Sequence, residues 1–253
     1  MNELQSRAQQ ILGLLDLTSL NDNDTEYNIH NLCNNAITPF GFVPAICIYS
    51  RFIPLAKYEL PNNLIKIATV TNFPHGSTDI ELALYETQLA ITRGADEVDI
   101  VFPYHALLTG DEKIGAILIS NAKKICKNKT LKVIIESGEL KTATLIQKAS
   151  EICISNGADF IKTSTGKVDI NATLSATEIM LNTIKQYNPN CGFKAAGGIK
   201  TVVEAIKYLE LTEKIMGSNW ITANKFRFGA SSLLNDVIAI LSNTATNNTH
   251  SSY

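Results

Sequence analysis

The feature that most limits what this chain can fold into is an alternation. Short apolar runs rich in β-branched residues follow one another, each separated from the next by a longer stretch with helical spacing. The runs are 42–49 (Phe-Val-Pro-Ala-Ile-Cys-Ile-Tyr), 64–70, 97–101, 131–136, 159–162, 191–194, 214–216 and 226–228. Such runs fit strands covered on both faces, as in a parallel sheet flanked by helices. Between them, 77–93, 111–127, 142–155, 175–187 and 201–209 carry helical patterning. Eight strands with intervening helices is the count of an α/β protein of the (β/α)8 TIM barrel type. The competing architecture is an open doubly wound sheet. The turn after the first run, Tyr-Ser-Arg-Phe, lacks the glycine-rich dinucleotide fingerprint expected there.

Residues 1–41 precede the first run and are expected to form extra N-terminal helices covering the bottom or edge of the barrel, with Asn23-Asp24-Thr25 capping a helix over 26–36. An internal echo, Gly-Ala-Asp at 94–96 and again at 157–159, leads each time straight into a strand that ends in a charged residue, Asp99 or Lys162. The barrel domain is placed at 1–241. The remainder, 242–253, is Ser, Thr and Asn with almost nothing apolar and reads as a flexible polar tail.

In a barrel the C-terminal ends of the strands carry the chemistry. Lys162 and Lys194 each close an apolar strand, a place ordinary lysines avoid. A lysine attacks a carbonyl only as the free amine, which requires its pKa to fall from about 10.4 to about 7–8. A second ammonium about 6 Å away, at an effective dielectric of about 20, supplies about 3 kcal/mol of that, and desolvation can supply the rest. Asp99, ending a third strand, offers a carboxylate at the same face for moving protons or holding a hydroxyl. Glu136 and Asp16 are further carboxylates of this kind, standing behind those three.

Three glycine-containing segments follow strands and precede helices: Lys162-Thr163-Ser164-Thr165-Gly166-Lys167, Gly197-Gly198-Ile199-Lys200 and Gly229-Ala230-Ser231-Ser232. Glycine lets backbone amides approach an anion, and a helix N-terminus favours one. Together they point to a phosphate.

The formal charge of −2 gives no basic field for nucleic acid or an anionic membrane. Five scattered cysteines, never in a C-x-x-C pair, fit neither a disulfide framework nor a thiolate zinc site, and the four histidines show no ligand spacing. No run approaches the roughly 20 apolar residues that cross a membrane, and the N-terminal segment lacks signal-peptide character. The expectation is therefore a cytoplasmic enzyme that uses no metal and no cofactor, takes small phosphorylated molecules, and has no nucleic-acid or membrane partner.

These residues carry a resemblance. Asp-Leu-Thr at 16–18, Ala-Thr-Val-Thr-Asn-Phe-Pro-His-Gly at 68–76, Gly-Ala-Asp-Glu-Val-Asp at 94–99, Phe-Ile-Lys-Thr-Ser-Thr-Gly-Lys at 160–167 and Arg-Phe-Gly-Ala-Ser-Ser at 227–232 make the chain resemble bacterial-type deoxyribose-phosphate aldolases along nearly its whole length. The resemblance implies a class I, Schiff-base aldolase that reversibly splits 2-deoxy-D-ribose 5-phosphate into D-glyceraldehyde 3-phosphate and acetaldehyde in deoxynucleoside catabolism. It implies Lys162 as the Schiff-base residue, Asp99 and Lys194 as proton relay, and Tyr253 as a terminal tyrosine assisting proton transfer. For substrate and phosphate it implies Asp16, Thr18, Thr165, Gly166, Lys167, Gly197, Gly198, Ile199, Lys200, Gly229, Ser231 and Ser232. It associates Cys47 with aldehyde inactivation. Two positions depart from the family: Ala195 stands where many relatives have proline, and Lys200 where arginine is frequent, which keeps the charge but not the bidentate geometry. Two other readings stay open, another Schiff-base sugar-phosphate aldolase or transaldolase, and a catalytically silent sugar-phosphate-binding barrel. A homodimer is the expected assembly.

Overall fold

A computed structural model describes residues 1–60 and 64–243. Eight parallel strands close into a barrel: β1 (Leu15–Thr18), β2 (Ala45–Ile48), β3 (Lys66–Thr71), β4 (Glu97–Val101), β5 (Thr130–Ile134), β6 (Phe160–Lys162), β7 (Gly192–Ala196) and β8 (Phe226–Ala230), with β8 pairing back to β1. Helices including Ile80–Arg93, Lys113–Cys126, Ala143–Ser155, Leu174–Tyr187, Val202–Met216 and Leu233–Leu241 follow the strands, so the fold is a (β/α)8 TIM barrel.

The period of two along each strand divides its side chains between two environments. Leu15, Leu17, Ile46, Ile48, Val98, Ile100, Leu131 and Val133 point outward and join the helices in one apolar core. The inward set is different: Asp16, Asp99, Lys132, Lys162, Lys194 and Arg227 meet one another inside the barrel. The main core therefore lies between sheet and helices, and the barrel interior holds the charges beside a small apolar cluster that includes Cys47, Ala68 and Val70.

The Gly-Ala-Asp echo has a structural meaning. Gly94 closes the helix before β4 with φ +99°, and Gly157 serves the same turn before β6 with φ +93°. The following aspartates accept from the neighbouring strand, Asp96 from Ile67 N–H at 3.2 Å and Asp159 from Leu131 N–H at 2.8 Å, and so pin adjacent strands in register.

Two expectations are corrected. The run 214–216 is not a strand but the last turn of helix Val202–Met216, which ends at Gly217; Ile215 and Met216 reach the core from a helix face instead. The missing strand is Leu15–Thr18, inside the segment expected to be a helical cover over 1–41. There Leu15 and Leu17 pack outward while Asp16 turns inward to Lys194 and Arg227, which a helix would not allow. On either side of it the segment does hold helices, Glu3–Leu12 with an Asn2/Gln5 capping box and Glu26–Asn35 capped by Thr25, and a short hairpin joins Ile37–Thr38 to Gly41–Phe42. Among the described residues no helix is long and apolar enough to cross a membrane.

Candidate active site

The inward charges form one connected cluster. Asp99, fully buried at the middle of β4, accepts from Lys132 Nζ on Oδ1 at 2.9 Å and from both Lys162 Nζ (3.0 Å) and Lys194 Nζ (2.8 Å) on Oδ2. Lys194 also donates to Asp16 Oδ2 at 2.5 Å, and Arg227 donates to Asp16 Oδ1 at 2.5 Å and to Glu97 at 3.2 Å. Lys132 closes the circuit to Glu97. Moving an ion out of water costs several kcal/mol, so such a group survives only when every member is paired. Four cations (Lys132, Lys162, Lys194, Arg227) face three carboxylates (Asp16, Glu97, Asp99), an excess of one positive charge.

The partners decide the ionisation of each group. Burial pushes the Asp99 carboxyl up, but Lys132, Lys194 and Lys162 outweigh it and hold it well below the usual carboxylate range. Asp16 follows the same balance, lowered by Lys194, Arg227 and Lys132 against burial. Burial works against the Lys194 ammonium, yet Asp16 and Asp99 raise its pKa above that of an ordinary lysine. Lys194 is thus a held cation, and the shared carboxylate stands between it and Lys162.

Above this cluster, on the C-terminal face, opens a cavity of about 310 Å³ lined by Lys162, Thr18, Thr165, Gly166, Lys167, Gly197, Gly198, Ile199, Lys200, Gly229, Ser231 and Ser232, together with Ser19 to Asn21. Twelve sequence-selected residues therefore share one pocket. Asp99, Lys194 and Asp16 are not in its lining. Tyr253 lies outside the described residues.

Two helices start beside the cavity, Val202–Met216 after the Gly197–Lys200 turn and Leu233–Leu241 after Ser231-Ser232. Gly197 and Gly198 both take φ +83°, a conformation that side chains other than glycine disfavour, and so turn the chain sharply enough to present its amides. Among the described residues, the N–H groups of Gly166, Gly198, Ile199, Ser231 and Ser232 have no acceptor within the chain. Lys167 and Lys200 add positive charge at the rim; the Lys167 ammonium rests on Leu20 O at 2.7 Å. Opposite the amides, Leu20, Cys47, Ala68 and Val70, with Tyr49 and Phe73, form a separate apolar cluster inside the barrel. Burial pushes the Cys47 thiol pKa up, which disfavours its thiolate.

Glu136 occupies a place apart. It is fully buried and takes left-handed backbone angles (φ +54°), a strain of about 1–3 kcal/mol for a side chain of this kind. Its carboxylate accepts from Thr165 N–H and Thr165 Oγ1.

Sequence reasoning passed over Lys132, Glu97 and Arg227. The available signal was their phase: each is a charge at an inward position of an otherwise apolar strand, and Lys132 is the register partner of Asp99 as Arg227 is of Lys194. Among the described residues no three His, Cys, Asp or Glu side chains converge as a metal site.

The model of the DeoC/LacD family aldolases matches residues 11–238. Among solved structures, the chain is similar to the apo form of a candidate deoxyribose-phosphate aldolase from Toxoplasma gondii ME49, with 24% identity, 96% of this chain and 98% of that chain covered, and a TM-score of 0.88. It is similar to another such candidate from Coccidioides immitis at 26% identity, covering 91% and 87%, with a TM-score of 0.81. A tetrameric deoxyribose phosphate aldolase from Aeropyrum pernix matches at 22% identity over 96% and 98%, with a TM-score of 0.74.

Proposed function

The chain belongs to the DeoC/LacD family of aldolases, and from that premise we propose that it cleaves 2-deoxy-D-ribose 5-phosphate reversibly to D-glyceraldehyde 3-phosphate and acetaldehyde through a Schiff base on Lys162. As an aldolase it is a lyase; the substrate, the covalent intermediate and a cytoplasmic role in deoxynucleoside catabolism are the proposal. The observation that carries it is the position of Lys162. It is the one member of the seven-residue cluster that also lines the mouth cavity. The cluster holds one cation more than it has carboxylates, so loss of the Lys162 proton leaves three charges of each sign and no unpaired carboxylate. No other lysine of the cluster combines that release with access to a ligand.

The steps follow. The Lys162 amine adds to C1 of the open-chain sugar, giving a carbinolamine that loses water to become an iminium. A base takes the proton of the C3 hydroxyl, the C2–C3 bond breaks, and its electrons flow into the iminium. Glyceraldehyde 3-phosphate leaves and an enamine remains on Lys162. Protonation of the enamine carbon and hydrolysis then free acetaldehyde and the amine. Asp99, bonded to both Lys162 and Lys194, is the group assigned to proton movement, with Lys194 as the held cation that keeps it ionised. The amides of Gly166, Gly198, Ile199, Ser231 and Ser232, with Lys167 and Lys200, are assigned to the 5-phosphate, and Leu20 in the cavity lining, with the Cys47, Ala68 and Val70 cluster it packs against, to the two-carbon end. Assembly into a homo-oligomer is part of the same reading, supported by the tetrameric Aeropyrum relative.

Cleavage of 2-deoxyribose 5-phosphate in the presence of a chelator, with both aldehydes assayed by coupled dehydrogenases, tests the proposal. Turnover of a ketose phosphate in its place points to another Schiff-base aldolase or a transaldolase; phosphate-dependent binding with no turnover of either points to a silent barrel.

A further inference from the structure

A buried carboxylate beside an anion site is out of place on electrostatic grounds alone, because it repels the ligand. Glu136 sits in that position, and its surroundings give it a different task. The amides on either side of it are tied to the next strand: Ile135 N–H donates to Lys162 O at 3.0 Å and Ser137 N–H to Thr163 O at 2.9 Å. The backbone of Glu136 is thereby fixed relative to the Schiff-base strand, and its side chain reaches three residues past Lys162. There its two oxygens take the Thr165 N–H at 3.2 and 3.3 Å, and one of them takes the Thr165 hydroxyl proton at 2.6 Å. The lone pair left on Thr165 Oγ1 accepts Lys167 N–H at 3.1 Å. Ser164, next to it, is buried with no partner for its own hydroxyl, and Thr163 ties the start of the loop to Ala196 on β7, so the side-chain tie from this loop to Glu136 runs through Thr165.

Two consequences follow from that chain of bonds. The Thr165 hydroxyl has its proton committed to Glu136 and is not a donor to a ligand. Between Thr165 and Lys167, both held, Gly166 takes φ +85° with its N–H unpaired within the described chain, at the wall of the cavity.

We propose that Glu136 is a positioning residue: through Thr165 it holds the Gly166 amide and the base of Lys167 in the shape that receives a phosphate, and so sets how strongly the enzyme prefers a phosphorylated aldose to an unphosphorylated one. It touches neither the reacting carbons nor the phosphate. The inference rests on the sugar-phosphate reading of the cavity and names the residue behind that selectivity.

The test is Glu136→Gln, which keeps the size but replaces one acceptor oxygen with a donor. Two readouts are taken: the Kd of inorganic phosphate by titration calorimetry, and kcat/KM for 2-deoxyribose 5-phosphate and for 2-deoxyribose. Phosphate affinity and kcat/KM for the phosphorylated sugar are expected to fall about tenfold, with most of the kinetic loss in KM, while kcat/KM for 2-deoxyribose changes less than about twofold. Equal losses on both sugars, or an unchanged phosphate Kd, overturn the proposal. Thr165→Val, which removes the shared hydroxyl from the other side, is the second variant. It is expected to weaken phosphate to a similar extent, with no further loss in the double variant; additive losses speak against a single linked unit. Should the wild-type protein cleave neither sugar, the assigned reaction fails, and the phosphate titration still decides the role of Glu136.

Discussion

Lys162 and Lys194 are register partners on β6 and β7, and both donate to a single oxygen, Asp99 Oδ2, at 3.0 and 2.8 Å. Only Lys162 also reaches the cavity. The pair therefore divides its work by access and not by basicity alone. Borohydride reduction in the presence of acetaldehyde is expected to leave an ethyl adduct on Lys162 and none on Lys194, read by peptide mass spectrometry. Modification of Lys194, or of neither lysine, removes Lys162 from the nucleophile role.

Lys132 donates to Asp99 and Glu97 with no exposed surface of its own, so it compensates two buried carboxylates. Lys132→Met removes the donor on Asp99 Oδ1 and leaves Arg227 as the remaining partner of Glu97, and is expected to cost about 3–5 kcal/mol. For a domain of this size that lowers Tm by on the order of 10 °C. Combining it with Glu97→Gln, which removes the carboxylate that lost its closest cation, is expected to restore part of the loss in a thermal scan. A double variant as unstable as the single one contradicts this account of the cluster.

Much of the site was legible because Asp99, Lys162 and Lys194 are charges set in largely apolar runs, and such charges have few bland explanations. The expectation that all three end their strands holds for Lys162 alone, since Asp99 and Lys194 are the middle residues of β4 and β7. The barrel was legible for the same reason in reverse: strands covered on both faces leave long apolar runs. What escaped did so for a physical cause. In Leu15–Thr18 the strand is four residues long and its inward position is Asp16, so no apolar run announces it. At 214–216 an Ile-Met pair imitates a strand because the last turn of a helix also buries two neighbours. Lys132 and Arg227 find their carboxylate partners on other strands, Asp99 and Asp16 among them, and contacts of that kind have no local spacing to read.

The cluster also fixes how stability depends on pH. Asp16 and Asp99 have folded-state pKa values below their unfolded ones, so between the two values the unfolded chain binds more protons. Their contribution is complete above about pH 4 to 5 and is lost as the pH falls toward the depressed values. Lys194 and Lys132 have raised values, so their contribution is complete below about pH 10 and is lost only as the pH climbs through the folded-state values. Denaturant midpoints are therefore expected to hold a plateau from about pH 5 to about pH 8 and to fall on both sides, the alkaline fall beginning with the five buried thiols, whose pKa values burial raises. A midpoint unchanged from pH 5 down to about pH 2 is inconsistent with Asp16 and Asp99 held by these cations.

Gly229 shows how closely the cavity and the charge cluster are built into each other. It lies on β8 opposite Ala196, and a Cβ placed there comes within 2.9 Å of Lys194 Cε and 3.0 Å of Ala196 Cβ. The alanine methyl of Ala196 is fixed to β7, whereas the end of the lysine stem can swing, so Gly229→Ala is expected to displace Lys194 rather than to unfold the barrel. A displaced ammonium relaxes its hold on Asp99 Oδ2 and Asp16 Oδ2, and the relay carboxylate loses one of the three lysines, Lys132, Lys194 and Lys162, that hold it ionised. Misplacing a catalytic group by about 1 Å can cost on the order of 100-fold. The expected result is a fall in kcat of about 10- to 100-fold, with Kd for inorganic phosphate changing by much less because the Gly166, Gly198 and Ile199 amides stay where they are. A loss confined to phosphate affinity, with kcat intact, assigns Gly229 to the anion site alone and leaves the packing against Lys194 without a catalytic consequence.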